Sequence, residues 1–515
     1  MKKIDQKEIL ILILCLIVGF ALRFYTFDQK SLWIDEIHTF NDSRDDIPNQ
    51  LKYYKENPTY LHPPLFFILT HSFYPFTKPE RDLRIIPLIF GILSIPMIYF
   101  LSRQFSPNIA IPCTLSLTFM TYHIYFSQDG RMYSLIMFLG MVSLYFFIKH
   151  LKTLKKRYLV FVAILYAILF HTSYNSIIFI VLSQMLWFFR INSEQKKSTI
   201  PSFFILTGLT LFLCIPWILF IVLNYKGQPV MDPFHTETPG AFRDIIYWIF
   251  NDWAPQAPLM ISSVLLLILF PLFSNNKKNA FVFLIIFILP IGGLYLFCNL
   301  LKITHFFTSR YFIHFLPLFL IALYLSLDAI EMKFERLKKF MRLRFLFTTL
   351  FIVSNIFILA YYYQSEKQDF RGLATYLKNQ VQNGDKIFVG IRAYMPGILH
   401  YFGIAPQKRH YVILFQEDAE KKVECRISFN IQNKIITVYN SQECCSRYIA
   451  DGSRLWIIVS KEAAKKIKEN SRCVLKGYFD GSFANFRKFP MDASMYLFLW
   501  DPHSPDEKGI DMPIE

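Results

Sequence analysis

Long apolar runs separated by short polar segments make up the first two thirds of the chain. A run of roughly 17–25 apolar residues crosses a bilayer as one helix, and about eleven runs meet this criterion. They lie near residues 7–27, 84–102, 108–127, 130–149, 158–172, 174–190, 200–223, 259–273, 279–300, 311–327 and 344–363. The pattern predicts a polytopic α-helical membrane domain over residues 1–363. Because no A-x-A-like cleavage site follows the first run, we expect that run to remain as an uncleaved anchor.

The pattern changes after about residue 363, where the chain becomes more polar and the apolar runs become short. Helical periodicity is present in Asp369–Gln382 and in Lys461–Glu469. Strand patterns lie at Lys386–Gly390, Tyr411–Phe415, Lys434–Tyr439, Leu455–Ser460, Val474–Phe479 and Met495–Trp500. This mixture predicts a small soluble α/β domain over residues 364–515.

The formal net charge of +17 is concentrated in four segments between apolar runs. They contain Lys149, Lys152, Lys155, Lys156 and Arg157; Arg190, Lys196 and Lys197; Lys277 and Lys278; and Lys333, Arg336, Lys338, Lys339, Arg342 and Arg344. Cytoplasmic loops of membrane proteins are enriched in Lys and Arg, so we place all four segments and the N-terminus in the cytoplasm. The basicity then reflects topology and anionic membrane lipids, and no nucleic-acid partner is expected.

This orientation assigns the other loops to the extracytoplasmic face of the plasma membrane. They are the first outer loop at residues 28–83, the turns Ser127–Arg131 and His171–Tyr174, the loops 225–258 and 301–310, and the C-terminal domain. Within the first outer loop, Pro63–Phe76 is apolar but short. We expect it to form a helix along the outer interface, because a crossing there would invert the topology of everything that follows.

Two adjacent carboxylates, Asp35 and Glu36, follow Trp33 just beyond the first apolar run. A carboxylate at the membrane surface can take a proton, or hold a metal ion, beside a lipid-borne substrate. A solvated acidic loop is the competing interpretation, because further acidic residues follow closely. These are Asp42, Asp45 and Asp46.

His62 ends the first outer loop immediately before two prolines. Its neutral imidazole could hydrogen-bond the carboxylates, or it could join Asp35 and Glu36 as a ligand of a divalent metal cofactor. A histidine that only begins the next helix is an equally serious interpretation.

Asp129 and Arg131 flank Gly130 in a predicted turn between two spans, and Tyr133 follows. Charges at a membrane edge are costly unless they are paired. A salt bridge that closes a helix hairpin would satisfy both. Alternatively, Asp129 shares an active site with Asp35, and Arg131 orients a carboxylate or a phosphate.

Other polar residues lie on the same predicted outer face, namely His171, Tyr174, Arg310 and Tyr311. Arg310 could hold a phosphate through charge-assisted hydrogen bonds, or it could be an interfacial arginine beside an aromatic belt. The loop 225–258 gives a weaker signal for a sugar or acceptor pocket. Its candidates are Asp232, His235, Glu237, Trp248, Asp252 and Trp253.

The eight cysteines divide between the two predicted domains. Cys15, Cys113, Cys214 and Cys298 lie in apolar runs and are expected to be packing residues. Cys425, Cys444, Cys445 and Cys473 lie in the C-terminal domain. If that domain is extracytoplasmic, one or two disulfides could form among them.

The chain resembles the polytopic glycosyltransferases that use lipid-phosphate-linked sugars, which include the protein O-mannosyltransferases and the bacterial aminoarabinose transferases of lipid A. Bacterial members commonly carry Trp-x-Asp-Glu after the first span, matched here by Trp33–Glu36, and His-Pro-Pro at the end of the first outer loop, matched by His62–Pro64. Many carry Ser-Gln-Glu-Ala-Arg-Met-Tyr between later spans, where this chain has Ser127–Tyr133 with Asp and Gly replacing Glu and Ala. An Arg-Tyr pair at Arg310-Tyr311 and an Asp-aromatic-Arg segment at Asp369-Phe370-Arg371 are also similar.

The resemblance covers most of residues 1–330 and implies the C-type glycosyltransferase fold, with about eleven transmembrane helices and an outward-facing active site. It implies transfer of a single sugar from a polyprenyl-phosphate donor to a lipid, glycan or protein acceptor. Asp35 would be the general base of an inverting attack, while Glu36 and Asp129 would orient the acceptor, tune Asp35 or bind the metal ion. Arg131 and Arg310 would stabilise the departing phosphate. Substrate binding would also involve His62, Tyr133, His171, Tyr174 and Tyr311.

Three other functions remain open at this point. A ligase that moves a whole lipid-linked glycan would be expected to need a wider outer loop than residues 225–258 provide. A transporter or flippase would be expected to show internal repeats and polar, broken helices at mid-membrane, and the sequence shows no repeat. A sensor domain on a membrane anchor would not need so many spans.

Overall fold

A computed structural model of the chain describes residues 4–56, 62–182, 193–224, 242–301, 309–334, 342–404, 425–440, 452–470, 472–483, 493–504 and 508–514. The chain folds into two units, and each is described by itself. The first unit contains Met1–Asp28, Ser43–Thr77 and Arg81–Ala360. The second unit contains Gln29–Asp42, Lys78–Glu80 and Tyr361–Glu515.

Helices account for nearly all regular structure in the described part of the first unit. They include Gln6–Phe24, Ile47–Glu56, Leu65–His71, Ile85–Ser102, Pro107–Phe119, Thr121–Ser127, Tyr133–Thr153, Lys156–Thr172, Ser193–Asn224, Phe242–Trp253, Ala257–Phe273, Lys277–Leu301 and Leu316–Lys333, with a 3-10 turn Ser309–Phe315. The helix Leu343–Gln364 and the short helix Pro79–Asp82 each include residues of both units. Within the described ranges, five helices are long and apolar enough to cross a membrane, or seven if each of two bent pairs is one span. The polytopic helical architecture is confirmed, whereas the count of eleven spans stays a prediction.

The predicted span at residues 108–127 is broken rather than continuous. Its two helices meet at Met120 with a bend of 59°. The Thr121 amide, which follows the break, donates a hydrogen bond of 2.9 Å to Oδ1 of Asn355, and the Thr121 hydroxyl donates to the Asn355 carbonyl at 2.7 Å. Backbone groups freed inside a membrane protein need such internal partners. Asn355 therefore satisfies one side of the break.

Arg23 satisfies the other side of the break. Its guanidinium is fully buried and donates to the carbonyls of Leu117 at 2.9 Å and Thr118 at 3.1 Å. It also lies 2.7 Å from Nδ1 of His123, on the helix after the break. One side chain of the first helix thus binds both halves of the broken span.

We expect Arg23→Met to destabilise the first unit by roughly 3 kcal/mol or more, because it leaves several buried acceptors without a charged donor. The thermal unfolding temperature of the detergent-solubilised protein should fall accordingly. Arg157→Met is the control, because Arg157 is exposed on the helix Lys156–Thr172. Equal unfolding temperatures for the two variants would show that Arg23 does not stabilise the break.

The apolar segment of the first outer loop is short in the structure. Pro63–Phe76 contains only the seven-residue helix Leu65–His71. At 1.5 Å per residue this helix is about 10 Å long, roughly a third of a bilayer core. A helix of this length is too short to span a bilayer core, and its placement along the outer interface stays a prediction.

The second unit contains a six-stranded mixed sheet. Its strands are β1 Lys386–Val389, β2 Cys425–Ile431, β3 Lys434–Asn440, β4 Leu455–Val459, β5 Val474–Phe479 and β6 Met495–Trp500, in the spatial order β2-β3-β1-β4-β6-β5. β1 pairs in parallel with β3 and β4, and the other pairs are antiparallel. Its helices are Ile34–Asp42, Phe370–Gln380, Met395–Phe402 and Lys461–Asn470.

The two faces of this sheet carry separate hydrophobic clusters, as the alternation of side chains along a strand requires. Ile387 and Val389 of β1 pack in one cluster with Phe370 and Ile398 of the neighbouring helices. Phe388 packs in the other cluster, with Ala464 of the helix Lys461–Asn470. The predicted α/β domain is therefore confirmed as a sheet with helices on both faces.

The first antiparallel hairpin contains a strand that we did not predict. β2 joins β3 through Gln432 and Asn433, whose φ angles of 49° and 64° are the left-handed pair that a two-residue hairpin turn requires. Apolar Ile427, Phe429 and Ile431 alternate with polar residues along β2, so the period-two signal is present but short. The predicted strand Tyr411–Phe415 lies outside the described residues.

The unit boundary differs from the sequence-based division in one respect. We assigned all of residues 28–83 to the membrane domain, whereas Gln29–Asp42 and Lys78–Glu80 fold with the C-terminal residues. The physical reason is a set of hydrogen bonds and ion pairs between these short segments and residues after Tyr361, which are described below. The main boundary falls between Ala360 and Tyr361, three residues before the predicted position.

The cysteines of the apolar runs are buried where they are described, at Cys15, Cys113 and Cys214. The side chains of Cys298 and Cys425, together with Cys444 and Cys445, lie outside the described residues. Disulfide formation in the C-terminal domain stays a prediction.

Candidate active site

The segment that leads to the two carboxylates is held through its backbone amides. The Ser31 amide donates to Oε2 of Glu366 at 3.0 Å, and the Leu32 amide donates to the Tyr401 hydroxyl at 2.7 Å. The Ile34 amide donates to Oε1 of Gln368 at 3.3 Å. Three of the four backbone amides of residues 31–34 thus donate hydrogen bonds to side chains from the C-terminal part of the second unit.

Burial changes the acid–base behaviour of these acceptors. Burial raises the pKa of Glu366, the nearby Asp369 raises it further, and Lys30 lowers it. Burial, together with the Glu80 carboxylate, also raises the pKa of the Tyr401 hydroxyl. The Tyr401 hydroxyl donates to Oε1 of Glu80 at 2.9 Å, so one phenol links residues 32 and 80.

The carboxylate helix, Ile34–Asp42, begins at this anchored segment. Trp33 occupies the position before it, and the amides of Glu36 and Ile37 donate to the Trp33 carbonyl at 2.9 and 3.0 Å. The Glu36 side chain turns back and accepts from the Trp33 amide at 3.3 Å. This is half of a capping box, which fixes the first helical turn.

Glu36 is fully buried and forms an ion pair with Lys367. Its Oε1 lies 3.6 Å from the Lys367 Nζ, and the two side chains are 0% and 1% exposed. A buried carboxylate requires such compensation. Glu36 is therefore engaged inside the second unit, and its role in orienting the acceptor, tuning Asp35 or binding a metal ion stays a prediction.

Asp35 has a different environment although it is the adjacent residue. Its side chain is half-buried, and its carbonyl accepts from the Thr39 hydroxyl at 3.3 Å within the carboxylate helix. Successive residues on a helix point about 100° apart. The two carboxylates are consequently divided between a buried, ion-paired position and a partly solvent-accessible one.

The three residues of the segment Asp369-Phe370-Arg371 make different contacts within the second unit. Asp369 accepts from the Gly372 amide at 2.7 Å and caps the helix Phe370–Gln380. Phe370 is fully buried in the core. The Arg371 guanidinium donates to the Gln29 carbonyl and lies 3.6 Å from Oε1 of Glu80.

Lys30 forms a further connection within the second unit. Its buried ammonium donates to the carbonyls of Tyr362 at 2.8 Å, Tyr363 at 3.3 Å and Ser365. These carbonyls lie at the C-terminal end of the helix Leu343–Gln364, where a cation complements the helix dipole. The segment before the carboxylate helix is thereby joined to residues 362–365 of the same unit.

In the first unit, the turn Ser127–Arg131 is fixed by Gln128. Its side-chain amide donates to the carbonyls of Arg23 at 2.9 Å and Tyr25 at 2.6 Å. Asp129 is completely buried, and its carbonyl accepts from the Arg131 amide at 2.6 Å. Asp129 is therefore a buried carboxylate at a helix end. Its predicted sharing of an active site with Asp35 stays a prediction.

The arginine turn, Ser309–Phe315, lies beside the helix that follows Asp129. The Arg310 guanidinium is 6.0 Å from the centre of the Tyr133 ring and 5.3 Å from that of Tyr311. The structure thus brings together three of the predicted substrate-binding residues. Cation–π contacts at these distances favour one placement of the guanidinium over the rings.

A buried polar chain holds the arginine turn. The Tyr122 hydroxyl donates to the Ser309 hydroxyl at 3.0 Å, and the Ser309 hydroxyl donates to Oδ2 of Asp252. Asp252 was only a weak candidate from sequence, because acidic and aromatic residues are common in outer loops. Its hydrogen bond to Ser309, the residue before Arg310, makes it part of the same group.

The remaining predicted residues have local partners. His171 Nδ1 lies 2.7 Å from the Ala167 carbonyl of its own helix, and the Tyr174 hydroxyl accepts from Nε1 of Trp217 at 2.9 Å. His62 is exposed, with its ring 6.3 Å from that of Phe67. Their predicted roles in substrate binding stay predictions.

The predicted metal site does not fit Glu36. The Lys367 ammonium already neutralises this carboxylate and would repel a cation. Across the described ranges, no group of three or more His, Cys, Asp and Glu side chains could hold a metal ion. The requirement for a divalent metal ion stays a prediction.

Several residues in these groups were missed by sequence reasoning. Arg23 could have been found, because a charged residue inside an apolar run is expensive and usually has a specific partner. Lys367 and Lys30 gave no local signal, because their partners lie 331 and 332 residues away. Contacts between residues so far apart leave no trace in the local pattern of apolar and polar residues.

Comparison with known proteins supports the resemblance stated above. Residues 61–220 match the family described as dolichyl-phosphate-mannose-protein mannosyltransferase. This match includes the turn Ser127–Arg131 but begins after Asp35. No curated protein matches the sequence of this chain.

Solved structures give a match over nearly the whole chain. The chain is similar to ArnT from Cupriavidus metallidurans in the apo state, with a TM-score of 0.53, 9% identity, and coverage of 95% of this chain and 97% of ArnT. The same protein bound to undecaprenyl phosphate gives a TM-score of 0.50 at 9% identity and the same coverage. The sequence match and the shared fold together support a polytopic glycosyltransferase of the C-type fold, as the sequence predicted.

Proposed function

We propose that this membrane glycosyltransferase moves a single sugar from a polyprenyl-phosphate donor to a lipid, glycan or protein acceptor on the extracytoplasmic face of the plasma membrane. The donor class is supported by the undecaprenyl phosphate bound to a protein of the same fold. The single-sugar reaction and the face of the membrane rest on the sequence resemblance and on the distribution of Lys and Arg.

The proposed reaction is an inverting displacement with Asp35 as general base. The acceptor hydroxyl gives its proton to the Asp35 carboxylate as its oxygen attacks the anomeric carbon. The bond between that carbon and the phosphate oxygen breaks, and its electron pair leaves on the phosphate. Attack opposite the phosphate inverts the configuration at the anomeric carbon.

The observation that carries this proposal is the division between the two adjacent carboxylates. Glu36 is buried and ion-paired with Lys367, whereas Asp35 is half-buried on the same rigidly anchored helix. A general base needs a fixed position together with access to the substrate. Of the two carboxylates, Asp35 is the less buried, which supports its assignment as the base.

The arginines are assigned to the leaving group. Arg310, held between Tyr133 and Tyr311, would donate hydrogen bonds to phosphate oxygens as negative charge grows there. Arg131 would assist, and Asp129 would orient the acceptor or the arginines. Tyr133, Tyr311, His62, His171 and Tyr174 remain proposed substrate-binding residues.

The proposal is tested by comparing the envelope of a strain that lacks this gene with the same strain expressing the wild-type chain. Mass spectrometry of lipids, glycans and glycoproteins should show one sugar added only when the chain is expressed. The mass difference would give the composition of the added sugar, and the molecule that carries it would be the acceptor.

Other outcomes of the same experiment have distinct meanings. Addition of a complete oligosaccharide would replace single-sugar transfer by ligation of a lipid-linked glycan. An unchanged set of acceptors, with lipid-linked sugar trapped on the inner leaflet of the deletion strain, would indicate a flippase. Either result would contradict the proposed reaction.

A further inference from the structure

The carboxylate helix is too short to define its own direction. It has nine residues, and isolated helices of this length are unstable in water. Its orientation must come from packing and from the contacts at its first turn. One packing contact is the ring of Phe40 against His400, at 4.6 Å in an edge arrangement.

The buried ion pair lies at the first turn, one residue from the proposed base. Glu36 contacts both the Lys367 ammonium and the Trp33 amide. A rotation of the helix about its axis would separate Glu36 from Lys367 and would move Asp35 with it. The pair is therefore placed to resist a rotation that would redirect Asp35.

We propose that Lys367 is a positioning residue for sugar transfer, because its ion pair with Glu36 fixes the rotation of the carboxylate helix and so the direction of Asp35. This inference rests on the proposed role of Asp35 as general base. It gives the C-terminal α/β domain a task in the reaction: it holds the helix that carries the base. Glu36 then acts through Lys367 and does not contact substrate.

A purely structural role for the ion pair is the competing explanation, and a second buried ion pair of the same unit provides the control. Arg454 lies 3.1 Å from Oδ2 of Asp385, with the two side chains 13% and 2% exposed. Asp385 also accepts from Nε1 of the buried Trp456 at 2.8 Å. Arg454→Met disrupts a comparable pair without altering a contact of the carboxylate helix.

The test uses the double variant Glu36→Gln with Lys367→Met in the full-length chain. It removes both buried charges, so no uncompensated charge prevents folding, and the glutamine side-chain oxygen can still accept from the Trp33 amide. We expect faster hydrogen exchange of the amides at residues 34–42, with protection of the sheet unchanged. Exchange at wild-type rates over 34–42 would overturn the proposal.

The same variants are then compared for transfer, as the rate at which the added sugar appears after induction in the deletion strain, per amount of folded protein. A displacement of about 1 Å can cost ~10²-fold in rate, so we expect a loss of about that size for the double variant. The single variant Lys367→Arg keeps a positive charge opposite Glu36 and should retain most of the wild-type transfer rate. Arg454→Met should transfer sugar at the wild-type rate. Equal rates for the double variant and Arg454→Met would also overturn the proposal.

Asp35→Asn in the same assay separates the two proposals. If Asp35→Asn transfers sugar at the wild-type rate, the role of Asp35 fails, and the positioning role fails with it. If Asp35→Asn is inactive while the double variant is fully active, only the positioning role of Lys367 fails.

Discussion

Asp35→Asn is expected to reduce sugar transfer by ~10²–10⁴-fold, the usual effect of losing a general base. Asn has nearly the same size and shape as Asp but cannot take the acceptor proton. The Asp35 side chain is half-buried, and its backbone carbonyl supplies the bond to Thr39, so the fold should not change. The measurement is the rate of appearance of the transferred sugar at matched levels of membrane-inserted protein.

Asp46→Asn is the matched control for this result. Asp46 lies in the same outer segment, is exposed, and accepts from the Asn49 amide at 2.9 Å. Asn at this helix-capping position can accept the same hydrogen bond. Wild-type transfer by Asp46→Asn together with strong loss in Asp35→Asn would exclude a general effect of acidic charge in the loop. Undiminished transfer by Asp35→Asn would remove Asp35 from the reaction.

Arg310→Met should lower the transfer rate by ~10²–10³-fold, which is typical for loss of one donor to a developing negative charge. The transfer rate of Arg310→Lys should lie between those of Arg310→Met and the wild type, because Lys keeps the charge but lacks the planar, bidentate donor. The effect should appear in the rate at saturating donor. A donor-binding defect alone would disappear at high donor concentration, and that outcome would contradict the proposed role.

The chain contains a matched control for Arg310 in a second Arg-Tyr dipeptide. The Arg157 guanidinium lies 5.0 Å from the ring of Tyr158, close to the 5.3 Å between Arg310 and Tyr311. The positive-inside rule predicts that Arg157 lies on the membrane face opposite the proposed active site. Arg157→Met should therefore retain full transfer, even though it removes the same local contact.

The sequence predicted the apolar helices because a membrane-crossing helix requires a long apolar run, which is visible without any tertiary information. It did not predict the break at Met120, since the residue that breaks the helix is neither Pro nor Gly. The break depends on Arg23 and Asn355, which lie about one hundred and more than two hundred residues away in the chain. A distortion stabilised by distant side chains leaves no local pattern.

The candidate carboxylates were also visible, because Trp33-Ile34-Asp35-Glu36 combines an interfacial aromatic with two adjacent acids. Their different environments were not visible. Only the fold shows that Glu36 is paired with Lys367. The sequence therefore gave no reason to treat the two acids differently, and both were assigned to catalysis. The membership of residues 29–42 in the second unit was missed for the same reason, because its bonds to Tyr362, Glu366 and Tyr401 are all long-range.

The hydrogen bonds of Lys30 have a consequence for how the protein is made. Lys30 emerges early in translation, yet Tyr362, whose carbonyl it binds, is 332 residues further along. At synthesis rates of about 5–20 residues per second, the segment before the carboxylate helix waits roughly 15–70 s for its partner. Chains that stop before Tyr362 lack the groups that hold this helix. Membrane insertion can thus be well advanced while the proposed base is still unplaced, so incomplete chains would not consume lipid-linked sugar.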